Sequence, residues 1–135
     1  MSNPVTCRLD DELLKAIRVR AHRRGRSRSD TIAELVRIGL DVLRFPGITF
    51  VTGPAGLRAH LAGTGLDVWE IVAAHRAHAG SDAAVLERLP QLSERQLRLA
   101  LAYYRDRQEE IDSILREQAQ SPDEWRREVA VSAGI

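Results

Sequence analysis

Apolar and polar residues alternate along Val5-Thr6-Cys7-Arg8-Leu9-Asp10, close to the start of the chain. That period of two predicts a half-buried strand with Val5, Cys7 and Leu9 on the packed face and Pro4, Thr6 and Arg8 on the other. The period then lengthens to that of a helix. Leu13, Leu14, Ile17 and Ala21 form one stripe, Asp10-Asp11-Glu12 place acids at the N-terminal end, and Gly25 stops it. A second helix begins at Ser27-Arg28-Ser29-Asp30, where the Ser27 side chain is placed to accept from the Asp30 amide. Its expected buried face is Ile32, Leu35, Val36, Gly39, Leu40 and Leu43, and Pro46-Gly47 ends it.

The pattern changes at Arg44-Phe45-Pro46-Gly47, a short junction. Ile48-Thr49-Phe50-Val51 and Leu57-Arg58-Ala59-His60-Leu61 read as two short strands across the turn Gly53-Pro54-Ala55-Gly56. That turn lacks the Lys-Ser or Lys-Thr of a phosphate-binding loop and has no helix directly after it. Beyond Gly63-Thr64-Gly65 the chain turns helical. Asp67 caps a helix carrying Val68, Ile71, Val72 and His75 that ends near Gly80, with Trp69 flanking the core. Ser81-Asp82 starts a short helix with Val85, Leu86 and Leu89, Pro90 breaks it, and Ser93-x-x-Gln96 caps another bearing Leu97, Ala100, Leu101 and Tyr104. Helix, brief turn, helix is a helix-turn-helix layout. From Arg105 the chain is polar, with a modest stripe of Ile111, Ile114 and Leu115. Ser121-Pro122-Asp123-Glu124 then signals a last short helix with Trp125, Arg126 and Arg127. The expected fold is mainly α with short β, in a domain of residues 1–44, a second of residues 45–117 and a helical tail of residues 118–135.

Some forty residues bury too little surface to be stable as a monomer, so ribbon and helices are expected to meet a second copy. The two ribbons would pair antiparallel, since a lone strand leaves its backbone groups unbonded, and a two-stranded ribbon fits a major groove. Residues 3–44, through Thr6 and Arg8 set between Val5, Cys7 and Leu9 and through Gly25-x-Ser27-x-Ser29, resemble the ribbon-helix-helix family of Arc and MetJ type repressors. The resemblance implies that Thr6 and Arg8 face base edges and that the amides near Ser27 to Ser29 hold a backbone phosphate. The chemistry suits that role: an Arg fork bonds the O6 and N7 of guanine, worth about 1–3 kcal/mol of discrimination, and Thr bonds a base or touches the thymine methyl.

Charge sharpens this picture. The net charge is +1, yet residues 1–44 hold ten Arg and Lys against six Asp and Glu, a net +4, while the remainder holds ten against thirteen, a net −3. Arg18, Arg20, Arg23, Arg24, Arg26 and Arg28 run without one acid around the hinge. Arg23, Arg24, Arg26, Ser27, Arg28 and Ser29 are therefore the candidate phosphate contacts.

Residues 45–117 resemble small domains regarded as antitoxins, through Leu61-Ala62-Gly63-Thr64, Leu66-Asp67-Val68-Trp69-Glu70, Leu89-Pro90-Gln91-Leu92-Ser93 and Leu99-Ala100-Leu101-Ala102-Tyr103-Tyr104. Members usually carry Arg directly after Gly-Thr, where this chain has Gly65. The resemblance implies a helix-turn-helix-like domain of type II toxin–antitoxin modules, commonly paired with a PIN-like ribonuclease toxin. Arg95 and Arg98 are candidate contacts to a second stretch of DNA. The acidic balance of the domain favours the other reading, a dimerisation or partner-binding unit. The tail either docks on its own domain or waits for a partner. In the partner reading Trp125, Arg126 and Arg127 would fill and neutralise the carboxylate-lined groove of such a toxin.

The remaining chemistry is thin. Cys7 is the single cysteine, so no internal disulfide forms, and it reads as a small buried hydrophobe. With no signal peptide and no apolar run that spans a bilayer, a cytoplasmic protein without membrane contact is expected. His75 and His78 are spaced as metal ligands but have no third ligand and flank Arg76. His22 and His60 lie beside basic residues with no Ser, Cys or carboxylate partner in a recognisable motif. No metal, cofactor or enzymatic reaction is expected. The sequence therefore reads as a homodimeric antitoxin that binds double-stranded operator DNA in the major groove, represses its own operon and neutralises a PIN-like toxin. The alternative is a stand-alone transcriptional repressor whose second domain binds DNA or a non-toxin protein.

Overall fold

The computed structural model describes residues 2–53 and 56–119. The chain divides into two compact units at the Arg44–Phe45 bond. Six helices and a three-stranded antiparallel sheet make up the described residues, a mainly α fold with short β. No helix among them is long and apolar enough to cross a membrane.

The first unit holds helices α1 (Asp11–Arg24) and α2 (Arg28–Arg44). The Asp10 carboxylate accepts from the Leu13 amide at 2.8 Å and caps α1. Gly25, at φ +61°, ends it: the Arg26 amide reaches back to the Ala21 carbonyl at 3.0 Å and the Gly25 amide to that of His22 at 3.2 Å. Ser27 Oγ accepts from the Asp30 amide at 3.0 Å and opens α2, as the sequence predicts. Glu34 of α2 ties the helices, accepting from Arg26 at 3.1 Å and from Arg20 at 3.5 Å.

Two expectations for this unit are not met in the single chain. Residues 2–10 form no strand, and Val5 and Cys7 are exposed, not packed. On α2, Val36, Gly39, Leu40 and Leu43 are exposed and Ile32 and Leu35 only half-buried, whereas Thr31 and Asp41 are buried. The cause is common to both. A single strand has no partner for its amides, and an apolar stripe on one of two helices has nothing to pack on.

The second unit begins with the hairpin of β1 (Ile48–Gly53) and β2 (Gly56–Leu61), registered from Ile48 opposite Leu61 to Gly53 opposite Gly56. The second strand begins at Gly56 itself. A two-residue strand that the sequence pattern misses, β3 (Leu66–Asp67), adds to β2 with Asp67 opposite His60 and Leu66 opposite Leu61. The buried Thr64 hydroxyl closes the intervening turn, donating to the Leu61 carbonyl at 2.8 Å and accepting from the Leu66 amide at 3.0 Å. Gly65 sits there at φ +73°. An Arg at that position, held in the left-handed region, would cost about 1–2 kcal/mol more than glycine.

Four helices follow: α3 (Val68–Ala77), α4 (Asp82–Arg88), α5 (Glu94–Asp106) and α6 (Gln108–Gln118). Ser81 Oγ caps α4 through the Ala84 amide at 3.2 Å. Ser93 and Gln96 cap α5 reciprocally at 3.1 and 2.8 Å. The core joins Ile48 and Leu61 of the sheet to Val68, Ile71, Val72, Val85, Leu97 and Ile111 of the helices, each nearly inaccessible. Tyr103 is the largest fully buried side chain. Its ring stands edge-on to Phe45 at 5.3 Å and to Phe50 at 6.4 Å, and its hydroxyl donates to Glu110 at 3.1 Å.

Candidate nucleic-acid interface

Helix ends and hinges decide where the predicted contacts stand. Thr6 and Arg8 lie in the exposed segment before α1, and no described residue engages either side chain. Arg23 is exposed in the last turn of α1. Arg24 beside it is half-buried and engaged with other groups. Arg26 is drawn to Glu34, which accounts for part of its charge, and the Ser27 hydroxyl is occupied as the α2 cap. Arg28 and Ser29 occupy the first turn of α2 and are exposed. The Asp30 amide is taken by Ser27 Oγ, so the Arg28 and Ser29 amides are the first-turn donors left for a phosphate, with the Arg28 and Arg23 side chains nearby in sequence. The acid-free arginine run thus splits. Arg23 and Arg28 stay accessible and unengaged among the described residues, whereas Arg20 and Arg26 converge on Glu34.

In the second unit, α4 and α5 are joined by five residues, Leu89 to Ser93. Arg95 and Arg98 are exposed on α5, and Arg98 lies 3.5 Å from Glu94 one turn earlier. Surface pairs of this kind contribute little and yield readily to a better acceptor. Trp125, Arg126 and Arg127 lie outside the described residues.

Two clusters escaped the sequence reading. His60 has a carboxylate partner after all: its Nδ1 is 2.8 Å from Asp67 Oδ1, across strands that the register places side by side. Asp67 also accepts from Trp69 Nε1 at 3.1 Å, while its own amide donates to Glu70 at 2.8 Å. This carboxylate ties the sheet to the start of α3. The signal in the sequence was the alternation at Leu66-Asp67, too short to read as a strand. His75, read as a potential ligand with His78, instead pairs with Asp82 at 3.1 Å. Among the described residues no three His, Cys, Asp or Glu side chains gather as a metal site.

The second cluster joins three helices. Tyr104 of α5 donates to Asp112 of α6 at 2.8 Å, and Arg76 of α3 donates to Asp112 at 2.9 Å and also to the Tyr104 hydroxyl. The Arg76 guanidinium lies 5.5 Å from the centre of the Tyr104 ring. The Tyr104 hydrogen bond, with Arg76 in support, holds the Asp112 carboxyl below the usual carboxylate range. The same carboxylate raises Tyr104 and Arg76 above their ordinary values. The cluster fixes the C-terminal half of α5.

No curated protein matches this chain, and no solved structure does. Residues 48–104, all in the second unit, match a family described as "Protein of unknown function (DUF433)".

Proposed function

We propose that this chain is a homodimeric DNA-binding antitoxin that represses its own operon through residues 1–44 and holds a PIN-like ribonuclease toxin through the remainder. The observation that carries the DNA half is the distribution of exposed apolar side chains. Among the described residues, Val5, Leu13, Val19, Val36, Leu40, Val42 and Leu43 are exposed in the first unit and only Val51 in the second. A helix pair with its apolar stripes in water is the half of an interface. Pairing two copies would bury those stripes and let residues 4–10 of each chain bond to each other as a ribbon, with Thr6 and Arg8 on its polar face. The accessible arginines and first-turn amides of α2 would then flank it on the DNA backbone. The toxin half rests on the resemblance of residues 45–117 to antitoxin domains and on the apolar and cationic residues Trp125, Arg126 and Arg127.

Two experiments test the two halves. Arg8→Ala should weaken specific binding by about 1–3 kcal/mol and relax preference at one base pair of each half-site, whereas Arg23→Ala should weaken binding evenly and flatten the salt slope. An equal loss on every sequence for Arg8→Ala would remove the ribbon as the reader. For the toxin, the adjacent reading frame is induced alone and then with this protein. Growth arrest relieved by co-expression supports the antitoxin; a harmless neighbour leaves a stand-alone repressor.

A further inference from the structure

Helix α5 presents two faces of opposite character. Leu97, Ala100 and Tyr103 are wholly buried on one. With about 100° per residue, Arg95, Arg98 and Arg105 fall within an arc of roughly 80° on the opposite face. All three arginines are exposed. Arg95 and Arg105 have no hydrogen bond or ion pair among the described residues. The nearby acids are engaged: Glu94 lies against Arg98 at 3.5 Å, and Asp106 against Arg107 at 3.1 Å. The stripe is cationic in a unit whose overall balance is acidic, and the Arg76, Tyr104 and Asp112 cluster pins the helix from behind.

We infer that the arginine face of α5 is a second DNA-contacting surface, which holds backbone phosphates flanking the site read by the first unit and so extends the operator on both sides. The inference rests on the proposed DNA-binding dimer. The chemistry fits phosphate better than base edges. Three cations along one helix meet the spacing of a charged backbone without needing a fixed base sequence. Alone, three exposed arginines would bind weakly. A dimer bound through its first units carries two such faces, one on each chain.

The test uses the full chain and the duplex upstream of its own reading frame. Hydroxyl-radical footprints and the salt dependence of affinity are compared for the parent, for Arg95→Gln/Arg98→Gln/Arg105→Gln, and for the same three positions changed to Lys. The Gln variant should lose protection on both flanks, keep the centre, and show a salt slope shallower by about 3–5, the count expected from up to six released phosphate contacts per dimer. The Lys variant should retain both. Unchanged footprints and slopes in the Gln variant overturn the inference, as does a variant whose only loss is binding to the toxin or another acidic protein. Arg8→Ala separates the two readings. If it leaves central protection and specificity intact while the Gln variant loses its flanks, the first-unit reading fails and the α5 surface stands.

Discussion

His60 and Asp67 face each other across β2 and β3, with His60 Nδ1 2.8 Å from the Asp67 carboxylate. That carboxylate also receives the Trp69 indole, and Asp67 stands at the N-cap of α3. Asp67→Ala removes the acceptor of both side chains and the cap together. It should destabilise the second unit by about 1–3 kcal/mol, read from its urea midpoint. Asp67→Asn keeps an acceptor and should recover part of that loss. No shift in midpoint for either would show that the cluster holds nothing together.

The Asp112 carboxylate titrates below its ordinary value because Tyr104, and then Arg76, bond its charged form. A depressed folded pKa means that the contribution is present above the unfolded value of about 3.9 and is lost as pH falls through the folded value. Asp112→Asn should therefore lower the unfolding midpoint at neutral pH, and parent and variant should converge in acid below that range. Tyr104→Phe should move the Asp112 titration, followed by NMR, back toward its ordinary value. A midpoint difference independent of pH would exclude this account.

Gly47 and Gly65 both hold positive φ, but for different surroundings. A Cβ on Gly47 would stand 2.9 Å from Leu99 Cδ2, whereas one on Gly65 would meet nothing within 4 Å. Gly65→Ala should cost only the backbone strain of about 1–2 kcal/mol. Gly47→Ala adds a clash within the folded unit and should cost measurably more in the same denaturation series. Equal losses would mean that Leu99 shifts freely.

Leu40 and Leu43 stand exposed on α2. In the proposed dimer they are covered, so Leu40→Lys/Leu43→Lys should abolish the dimer by analytical ultracentrifugation and with it DNA binding. The second unit has its own core and should unfold at its parental midpoint. A double variant that stays dimeric would place the interface elsewhere.

Local order was legible in the sequence because it is held by neighbours. Asp10, Gly25, Ser27, Ser81 and the Ser93 and Gln96 pair bond groups within four or five residues of themselves, and each caps or ends the helix that the pattern announces. The core positions Val68, Ile71, Val72, Val85, Leu97 and Ala100 follow the same helical periods. Contacts distant along the chain depend on which faces pack together, and no local pattern encodes them. Arg76 reaches Tyr104 and Asp112 across 28 and 36 positions, and Glu34 takes up Arg20 and Arg26 from an arginine run that looks uniform in sequence. His60 finds Asp67 through a strand of two residues. Composition and period determined the helices, the β1–β2 hairpin and the apolar face of the second unit's helices, but neither the strand pairing of β3 nor the face that α2 buries. Tertiary packing decided which charges are engaged and which stay accessible, because an ion pair depends on where two side chains end in space.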